Sequence, residues 1–163
     1  MNICALCEAR IEPGDGAAAF RGRVAHIACW LEWRDGRRES PRPSVLVVDD
    51  DDATRYTTRR VLQAAGFSVT EAENAGAALA AIAHRPDLIL LDLRLPDLDG
   101  FEVCRRIKSD PGTASVRVVP FTAVFHDDSD RRRAFAVGAD GYLIKPIAPE
   151  QLVATVNALI GMG

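Results

Sequence analysis

The run LILLDLRLPDLDG, residues 88–100, decides the fold of this chain. Its first four residues, Leu88–Leu91, are apolar and have the length of a strand that a parallel sheet buries on both faces. Asp92 follows directly, and a loop marked by Pro96 and Gly100 comes next. In open parallel α/β sheets, functional groups gather at the carboxyl ends of the strands. Asp92 is therefore predicted to be a functional carboxylate at a strand end.

Strand and helix patterns alternate on either side of this run. Strands are predicted at residues 45–48, 67–70, 88–91, 116–121 and 142–144, and helices at 53–65, 75–84, 101–108, 130–137 and 149–160. We expect Asn74 and Ser129 to cap helices at their N-termini, and Gly66 and Gly138 to end helices. Five strand–helix units predict a doubly wound, five-stranded parallel sheet with right-handed crossovers. Pro120 removes a backbone donor inside the fourth predicted strand, which predicts a bulge or a shortened strand there.

The other strand ends also carry polar groups. An acidic run that begins with Asp49 and Asp50 follows the first predicted strand, Thr122 ends the fourth, and Lys145 follows the fifth. Mg²⁺ takes oxygen ligands and neutralises the repulsion between an anionic phosphoryl donor and a carboxylate acceptor. A lysine and a hydroxyl can hold the remaining phosphoryl oxygens. Together with Asp92, these residues predict a magnesium-dependent site in which one carboxylate accepts a phosphoryl group.

Four ordered motifs carry a family resemblance. They are VLVVDDD (residues 45–51), the run quoted above, FTA (121–123) and GADGYLIKP (138–146). Together they resemble the receiver domain of bacterial two-component response regulators, over residues 44–163. The resemblance implies a flavodoxin-like α/β fold with strand order 2-1-3-4-5. It also implies that Asp92 accepts a phosphoryl group from a sensor histidine kinase or a phosphotransfer protein.

The resemblance further implies a set of magnesium ligands that includes Asp92 itself. Asp50 would bind Mg²⁺ directly, Asp49 largely through water, and Arg94 through its backbone carbonyl. In the family, the position of Arg94 tunes how long the phosphoaspartate survives hydrolysis. The direction of that effect is not predicted by the sequence.

Three further residues have roles that the resemblance implies. Thr122 would contact the phosphoryl group and shift on activation, and Lys145 would pair with the phosphoryl group. Tyr142 would be the aromatic residue that rotates together with Thr122. The Lys145–Pro146 peptide bond is expected to be cis, as X–Pro bonds permit.

A second group of metal ligands lies within residues 1–33. Cys4-x-x-Cys7 and His26-x-x-Cys29 supply four ligands in two tight pairs, and in a cytoplasmic protein such clustering favours zinc over disulfides. Glycines between the pairs fit a hairpin, and a short helix is predicted after His26. The pattern resembles half of a LIM-type finger or a related treble-clef zinc finger. A segment this short buries too little core to fold unaided, so we expect Zn²⁺ to supply its folding free energy.

The role of this finger is less specified than its ligands. Residues 34–43 are charged, contain proline and lack apolar periodicity, so they predict a linker to the receiver. We favour a structural or protein-docking role for the finger over nucleic-acid contact, because acidic side chains nearly balance the basic ones. A nucleic-acid surface would comprise Arg21, Arg23, Arg34, Arg37, Arg38, Arg42, Trp30 and Trp33.

Composition limits the classes of protein. Of 163 residues, 48% are hydrophobic, and the net charge of −3 disfavours a general nucleic-acid binder. No apolar stretch reaches the roughly 18 residues of a membrane span, and the N-terminus lacks a signal-peptide pattern. We therefore expect a soluble cytoplasmic protein with no membrane partner. Cys104 is interpreted as a small buried hydrophobe.

We expect a phosphorylation-controlled response regulator rather than an enzyme, because no catalytic output domain is recognisable after the last predicted helix. The receiver would assist its own phosphorylation and dephosphorylation, and output would pass to a downstream protein or a homodimer formed through the last helices. One alternative is a DNA- or RNA-binding regulator whose finger is the output module. Another is a phosphatase or phosphotransferase, which would need a general acid such as Asp97 or Asp99 near Asp92. A chain excised from a longer protein is also left open.

Overall fold

The computed structural model describes residues 3–20, 22–35, 42–123 and 128–161. They fall into two compact units, an N-terminal unit before Pro43 and a second unit spanning Pro43–Ile160. The predicted linker lies mostly outside the described residues. Within the described part of the chain, no helix is both long enough and apolar enough to cross a bilayer.

The N-terminal unit is a hairpin followed directly by a helix. Antiparallel strands β1 (Ala17–Phe20) and β2 (Arg23–His26) pair along their length, and α1 (Ile27–Arg34) begins at the next residue. Its small core consists of Cys4, Ala5, Leu6, Ala25 and Cys29. Two of these five buried residues are predicted zinc ligands, so the predicted metal site and the core of this unit coincide.

The second unit alternates strands and helices. The elements are β3 (Ser44–Val48), α2 (Asp52–Ala64), β4 (Ser68–Ala72), α3 (Ala75–Ala81), β5 (Leu88–Leu91), α4 (Gly100–Ser109), β6 (Arg117–Thr122), α5 (Asp128–Ala136), β7 (Leu143–Ile144) and α6 (Pro149–Gly161). All neighbouring strands pair in parallel, in the order β4-β3-β5-β6-β7. Counted from β3, this is the predicted order 2-1-3-4-5, so the doubly wound fold is confirmed.

The sheet buries both faces, which explains why its central strands are continuously apolar. Because side chains alternate along a strand, Leu46 and Val48 of β3 face the core beneath α3 and α4, whereas Val45 and Val47 face the core beneath α2 and α6. Strand β5 repeats this alternation. Burial of each such side chain contributes about 1.5–3 kcal/mol. Cys104 is buried in the first of these cores, as predicted.

Two helix boundaries differ from those predicted by more than one residue, the end of α3 and the start of α5. Asn74 caps α3 by accepting a hydrogen bond from the Ala77 amide, as predicted, but residues 82–84 form a 3₁₀ turn rather than a continuation of the helix. Ser129 was wrongly predicted as an N-cap, because α5 already begins at Asp128 and Ser129 lies in its first turn. The residues that precede α5, 124–127, lie outside the described part of the chain.

The predicted bulge or shortened strand at Pro120 is wrong. β6 runs without interruption through Pro120, which is in register with Leu91 of β5. The Val118 amide donates to the Asp140 carboxylate, and the Val118 carbonyl accepts from the Asp140 amide. The backbone amide and carbonyl of Val118 therefore point to the side of β6 on which β7 lies. Pro120 is two residues further along the strand, so its backbone nitrogen points to the same side as that of Val118. It precedes the first β6–β7 pair, which begins at Phe121. Its missing N–H therefore points to an edge where the ladder has not yet begun.

Candidate phosphoacceptor and metal sites

Three predicted carboxylates meet at the carboxyl edge of the sheet. The Asp92 amide donates to the Val48 carbonyl (2.9 Å) and the Asp49 amide to the Ala72 carbonyl (3.1 Å), which extends the sheet just beyond its strands. Carboxylate oxygens of Asp49, Asp50 and Asp92 all lie within 4.8 Å of one another. Strand order therefore brings together residues that are about 40 positions apart in the chain.

Asp49 is the most constrained of the three carboxylates. Its side chain is 4% exposed, and its Oδ1 accepts a hydrogen bond from the Asp51 amide (2.9 Å). Its Oδ2 accepts from the Lys145 ammonium. Arg55 Nη1 donates to its backbone carbonyl (2.7 Å), a support that the sequence did not predict. Asp50, in contrast, is exposed, so it is the carboxylate that faces solvent.

The negative charge of an ionised Asp92 is only partly offset by its surroundings. Burial is the largest influence and raises its pKa, and Asp49 and Asp50 act in the same direction by repulsion. The Arg94 amide, which donates to Asp92 Oδ1 (3.0 Å), and the Lys145 ammonium, 3.7 Å from Oδ2, oppose that rise. The pKa is nevertheless raised. The cluster therefore needs more positive charge than Lys145 alone supplies.

This donor set fits a hard divalent cation. In an octahedral Mg²⁺ site with bonds of about 2.0–2.1 Å, ligand oxygens are separated by about 3–4 Å. The three carboxylates are close enough to meet that requirement with modest adjustment, and an added cation would offset their mutual repulsion. The ligand role of the Arg94 carbonyl remains a prediction.

The loop after Asp92 is held by backbone contact and by two caps. A Cβ on Gly100 would lie 2.6 Å from both the Asp92 carbonyl oxygen and the Leu93 Cα, so only glycine fits there. The Asp97 carboxylate accepts from the amides of Ala75 and Gly76 at 2.9 Å, and the Asp99 carboxylate accepts from the Phe101 amide at 2.8 Å. Both carboxylates act as helix caps, which disfavours their use as a general acid. This close backbone contact of Gly100 was not predicted from the sequence. An Asp-Gly pair before a helix predicts a turn, but it does not show which backbone atoms pack against the glycine.

The remaining predicted switch residues also surround this edge. Thr122 is buried, and its carbonyl accepts from the Lys145 amide (2.8 Å). The Lys145–Pro146 peptide bond is cis, as predicted. Tyr142 is partly buried and packs against the cluster that contains Leu93, the residue next to Asp92.

An open groove lies beside Lys145. It has a volume of about 570 Å³ and runs between the first turns of α2 and the start of α6. The lining includes Thr54, Thr57 and Val61 on one side and Ile147 and Leu152 on the other, with Lys145 at the edge. The lining is mostly apolar, so the groove offers a contact surface next to the carboxylates.

The four predicted zinc ligands also converge. Their ligand atoms lie within 4.8 Å of one another, with His26 Nδ1 at 3.5 Å from Cys7 Sγ and 3.8 Å from Cys29 Sγ. A tetrahedral zinc ion with standard bond lengths places sulfur and nitrogen ligands about 3.6 Å apart and two sulfurs about 3.8 Å apart. The observed sulfur–nitrogen distances are those of such a tetrahedron.

Two of the clustered cysteines have pKa values shifted in opposite directions. Burial opposes ionisation of Cys4, yet amide donors from His26, Leu6 and Cys7 lower its pKa to about 6. Burial and the neighbouring sulfurs raise the pKa of Cys29 to about 11. One thiolate therefore forms readily while another is repelled by its neighbours, a conflict that a bound Zn²⁺ would remove.

Comparison with known proteins agrees with this geometry. The response regulator receiver domain family matches residues 45–157. The chain is 42% identical over 120 residues to the DNA-binding dual master transcriptional regulator RpaA of Synechocystis sp., covering 72% of this chain and 49% of RpaA. It is 40% identical over 118 residues to the phosphate regulon transcriptional regulatory protein PhoB of Pseudomonas aeruginosa, covering 72% and 51%. The chain thus spans about half the length of these relatives.

Solved structures show the same fold. A response regulator from Chloroflexus aurantiacus superposes with a TM-score of 0.69 at 34% identity, covering 74% of this chain and 98% of that one. The chemotaxis response regulator CheY4 of Vibrio cholerae gives a TM-score of 0.68 at 30% identity, covering 72% and 98%. Through residues 45–157, this chain belongs to the response regulator receiver domain family.

Proposed function

We propose that this protein is a phosphorylation-controlled response regulator in which Asp92 accepts a phosphoryl group from a sensor histidine kinase or a phosphotransfer protein. The observation that carries the proposal is the cluster of Asp49, Asp50 and Asp92, with Lys145 bonded to Asp49 and 3.7 Å from Asp92. Asp92 is the member of the cluster that follows the central strand β5, beside the lysine and the buried Thr122.

The chemistry follows from the placement of these groups. An Asp92 carboxylate oxygen attacks the phosphorus of a phosphohistidine, so an O–P bond forms as the P–N bond of the donor breaks. Mg²⁺ would be held by Asp49, Asp50, Asp92 and the Arg94 carbonyl, and it would supply positive charge between the two anions. The Lys145 ammonium donates to Asp49 and lies 3.7 Å from Asp92, so it could exchange its hydrogen bond with Asp49 for one with a phosphoryl oxygen on Asp92. Hydrogen bonds to Asp51 and Arg55 hold Asp49 in place during that exchange.

We infer that phosphorylation alters the surface formed by α5, β7 and α6. Tyr142 packs against the hydrophobic cluster that includes Leu93, the residue after Asp92. Packed side chains therefore connect the loop at Asp92 to this surface and could transmit a shift of that loop. Phe135 on α5 and Ile144 on β7 are exposed at 43% and 47%. Such apolar side chains support output through protein contact, either with a downstream partner or with a second copy.

We propose a zinc finger for the N-terminal unit, with Cys4, Cys7, His26 and Cys29 as ligands. The sulfur–nitrogen distances support this ligand set. We also propose a cytoplasmic location, where reducing conditions keep these thiols available for metal. A structural or protein-docking role remains our preference for the finger.

A nucleic-acid-binding output is the second candidate. The relatives RpaA and PhoB are named as transcriptional regulators, and RpaA as DNA-binding. In the N-terminal unit, the Arg34 guanidinium lies over the Trp30 ring at 5.2 Å, so a cationic and an aromatic side chain of the predicted surface lie side by side. Arg21, Arg37 and Arg38 of the predicted surface lie outside the described residues. Binding to duplex DNA that weakens steeply with salt would favour this candidate over protein docking.

The phosphoacceptor proposal is tested by intact-mass measurement after incubation with a small-molecule phosphodonor. We expect the wild type to gain one phosphoryl group in the presence of Mg²⁺, and the Asp92→Asn variant to gain none. Asp110→Asn is a matched control, because Asp110 is an exposed carboxylate outside the cluster. A wild type that stays unmodified, or an Asp92→Asn variant that is modified as efficiently, would overturn the proposal.

A further inference from the structure

The imidazole of His26 is held on both sides. Its Nδ1 faces the sulfurs of Cys7 and Cys29 at 3.5 and 3.8 Å, and its Nε2 lies 3.3 Å from Asp15 Oδ2. Its backbone amide donates to Cys4 Sγ (3.3 Å). The histidine side chain is 16% exposed. The Asp15 carboxylate therefore contacts the ring nitrogen that faces away from the sulfurs.

We propose that Asp15 is a positioning residue for the zinc site, which fixes the proton of His26 on Nε2 and so presents Nδ1 to the metal. A carboxylate can only accept a hydrogen bond, so Nε2 carries the proton in the neutral ring and Nδ1 keeps its lone pair. Histidines that bind metals commonly donate their other N–H to a carboxylate, which orients the ring and raises its basicity. This inference rests on the zinc site proposed above.

Asp15 is itself fixed by a short turn. Gly14 and Gly16, on either side of it, adopt φ values of +107° and +66°, which favour glycine. The Glu12 amide donates to Asp15 Oδ2 (2.7 Å), and the Asp15 amide donates to the Glu12 carbonyl (3.1 Å). Within the folded unit, the carboxylate is therefore oriented by its own turn.

The same turn is attached to the element that carries His26 and Cys29. The Ile27 amide at the start of α1 donates to the Gly16 carbonyl (3.2 Å). A Cβ on Gly16 would lie 3.1 Å from Ile27 Cδ1, so the turn packs tightly against this helix start. Asp15 and His26 are thus held at a constant separation, as a positioning contact requires.

The test is a double-mutant cycle of zinc affinity on the full chain, measured by competition with a chromophoric chelator. We expect Asp15→Ala to weaken zinc binding by about 10–100-fold, the usual loss for a supporting partner of a metal ligand. Asp15→Asn keeps an oxygen acceptor for both N–H groups and should lose less. Asp35→Ala is the matched control, since it removes an exposed carboxylate of the same unit that pairs with Arg34 and should not change affinity.

A second set of variants, made in a His26→Cys protein, separates two roles of Asp15. One is to orient the imidazole of His26, and the other is to stabilise the turn that contains Asp15. In a His26→Cys protein, which offers four thiolates, Asp15→Ala should have no effect on affinity, because no imidazole remains to be oriented. An equal loss in both backgrounds would show that Asp15 supports the turn alone and would overturn the inference. Unchanged affinity in the Asp15→Ala variant would also overturn it while leaving the zinc site intact. A wild type that binds no zinc would instead refute the zinc site itself.

Discussion

The two candidate metal sites of this chain are built in opposite ways. The carboxylate cluster lies at the edge of a five-stranded sheet that already has two apolar cores, one on each face. The cysteine cluster is itself much of the core of its unit, in which Cys4 and Cys29 are two of five buried hydrophobic residues. On the proposed assignments, a metal ion would have a chemical role in the receiver and a folding role in the N-terminal unit.

Removal of zinc gives the largest contrast between the two units. We expect a strong zinc chelator to unfold the N-terminal unit completely, because its apolar core is too small to fold alone. Hydrogen exchange of backbone amides, resolved by residue, would measure this loss. Amides of β3 and β5 should stay protected, and removal of Mg²⁺ alone should leave both units folded. Retained protection along β1 and β2 after zinc removal would contradict the account.

Gly100→Ala tests the receiver site at its backbone. The added Cβ would meet the Asp92 carbonyl oxygen and the Leu93 Cα at 2.6 Å, and neither backbone atom can move without shifting Asp92, the proposed phosphoacceptor. We expect a loss of about 1–3 kcal/mol in the free energy of unfolding, measured by urea denaturation of the receiver. Gly161→Ala, where a Cβ meets nothing within 4 Å, is the control and should be near neutral. Equal stability of the two variants would show that the loop tolerates a side chain.

Asp92→Asn should have a smaller effect of opposite sign. In Mg²⁺-free buffer at neutral pH, we expect the variant to be more stable than the wild type, because burial and the neighbouring carboxylates raise the pKa of Asp92. A raised folded-state pKa means that the wild type loses stability as pH rises from the ordinary pKa through the raised one. The advantage of the variant should therefore disappear as pH falls below the ordinary aspartate pKa.

Urea denaturation at several pH values would measure this effect, with Asp110→Asn as the control. Added Mg²⁺ should stabilise the wild type and reduce the difference, because the proposed site binds the ion only in the folded state. A variant that is less stable than the wild type at neutral pH would contradict the charge balance described for the cluster.

Most of the fold could be predicted because its signals are local. Apolar runs such as Leu88–Leu91 need no knowledge of their neighbours, and the alternation of strands and helices leaves few topologies. Convergence of Asp49, Asp50 and Asp92 then follows from the rule that parallel strands share their carboxyl ends. The two pairs of predicted zinc ligands likewise follow from spacing.

The features that the sequence did not predict depend on contacts across the fold. Whether Pro120 disrupts a strand depends on which neighbour its missing N–H faces, and β7 is too short to reach it. The role of Gly100 depends on the backbone of Asp92, eight residues earlier. The contact of Asp15 with His26 arises only when the hairpin closes. No periodicity or spacing encodes such pairs directly.

The most direct test of the proposal that Asp92 is the phosphoacceptor is to identify the residue that becomes phosphorylated. After incubation with a small-molecule phosphodonor and Mg²⁺, reduction with hydride would trap the acyl phosphate, and peptide mass mapping would locate the modified side chain. We expect a single modified residue, Asp92, and loss of the modification when Mg²⁺ is withheld. Modification at Asp49 or Asp50, or equal labelling without Mg²⁺, would contradict it.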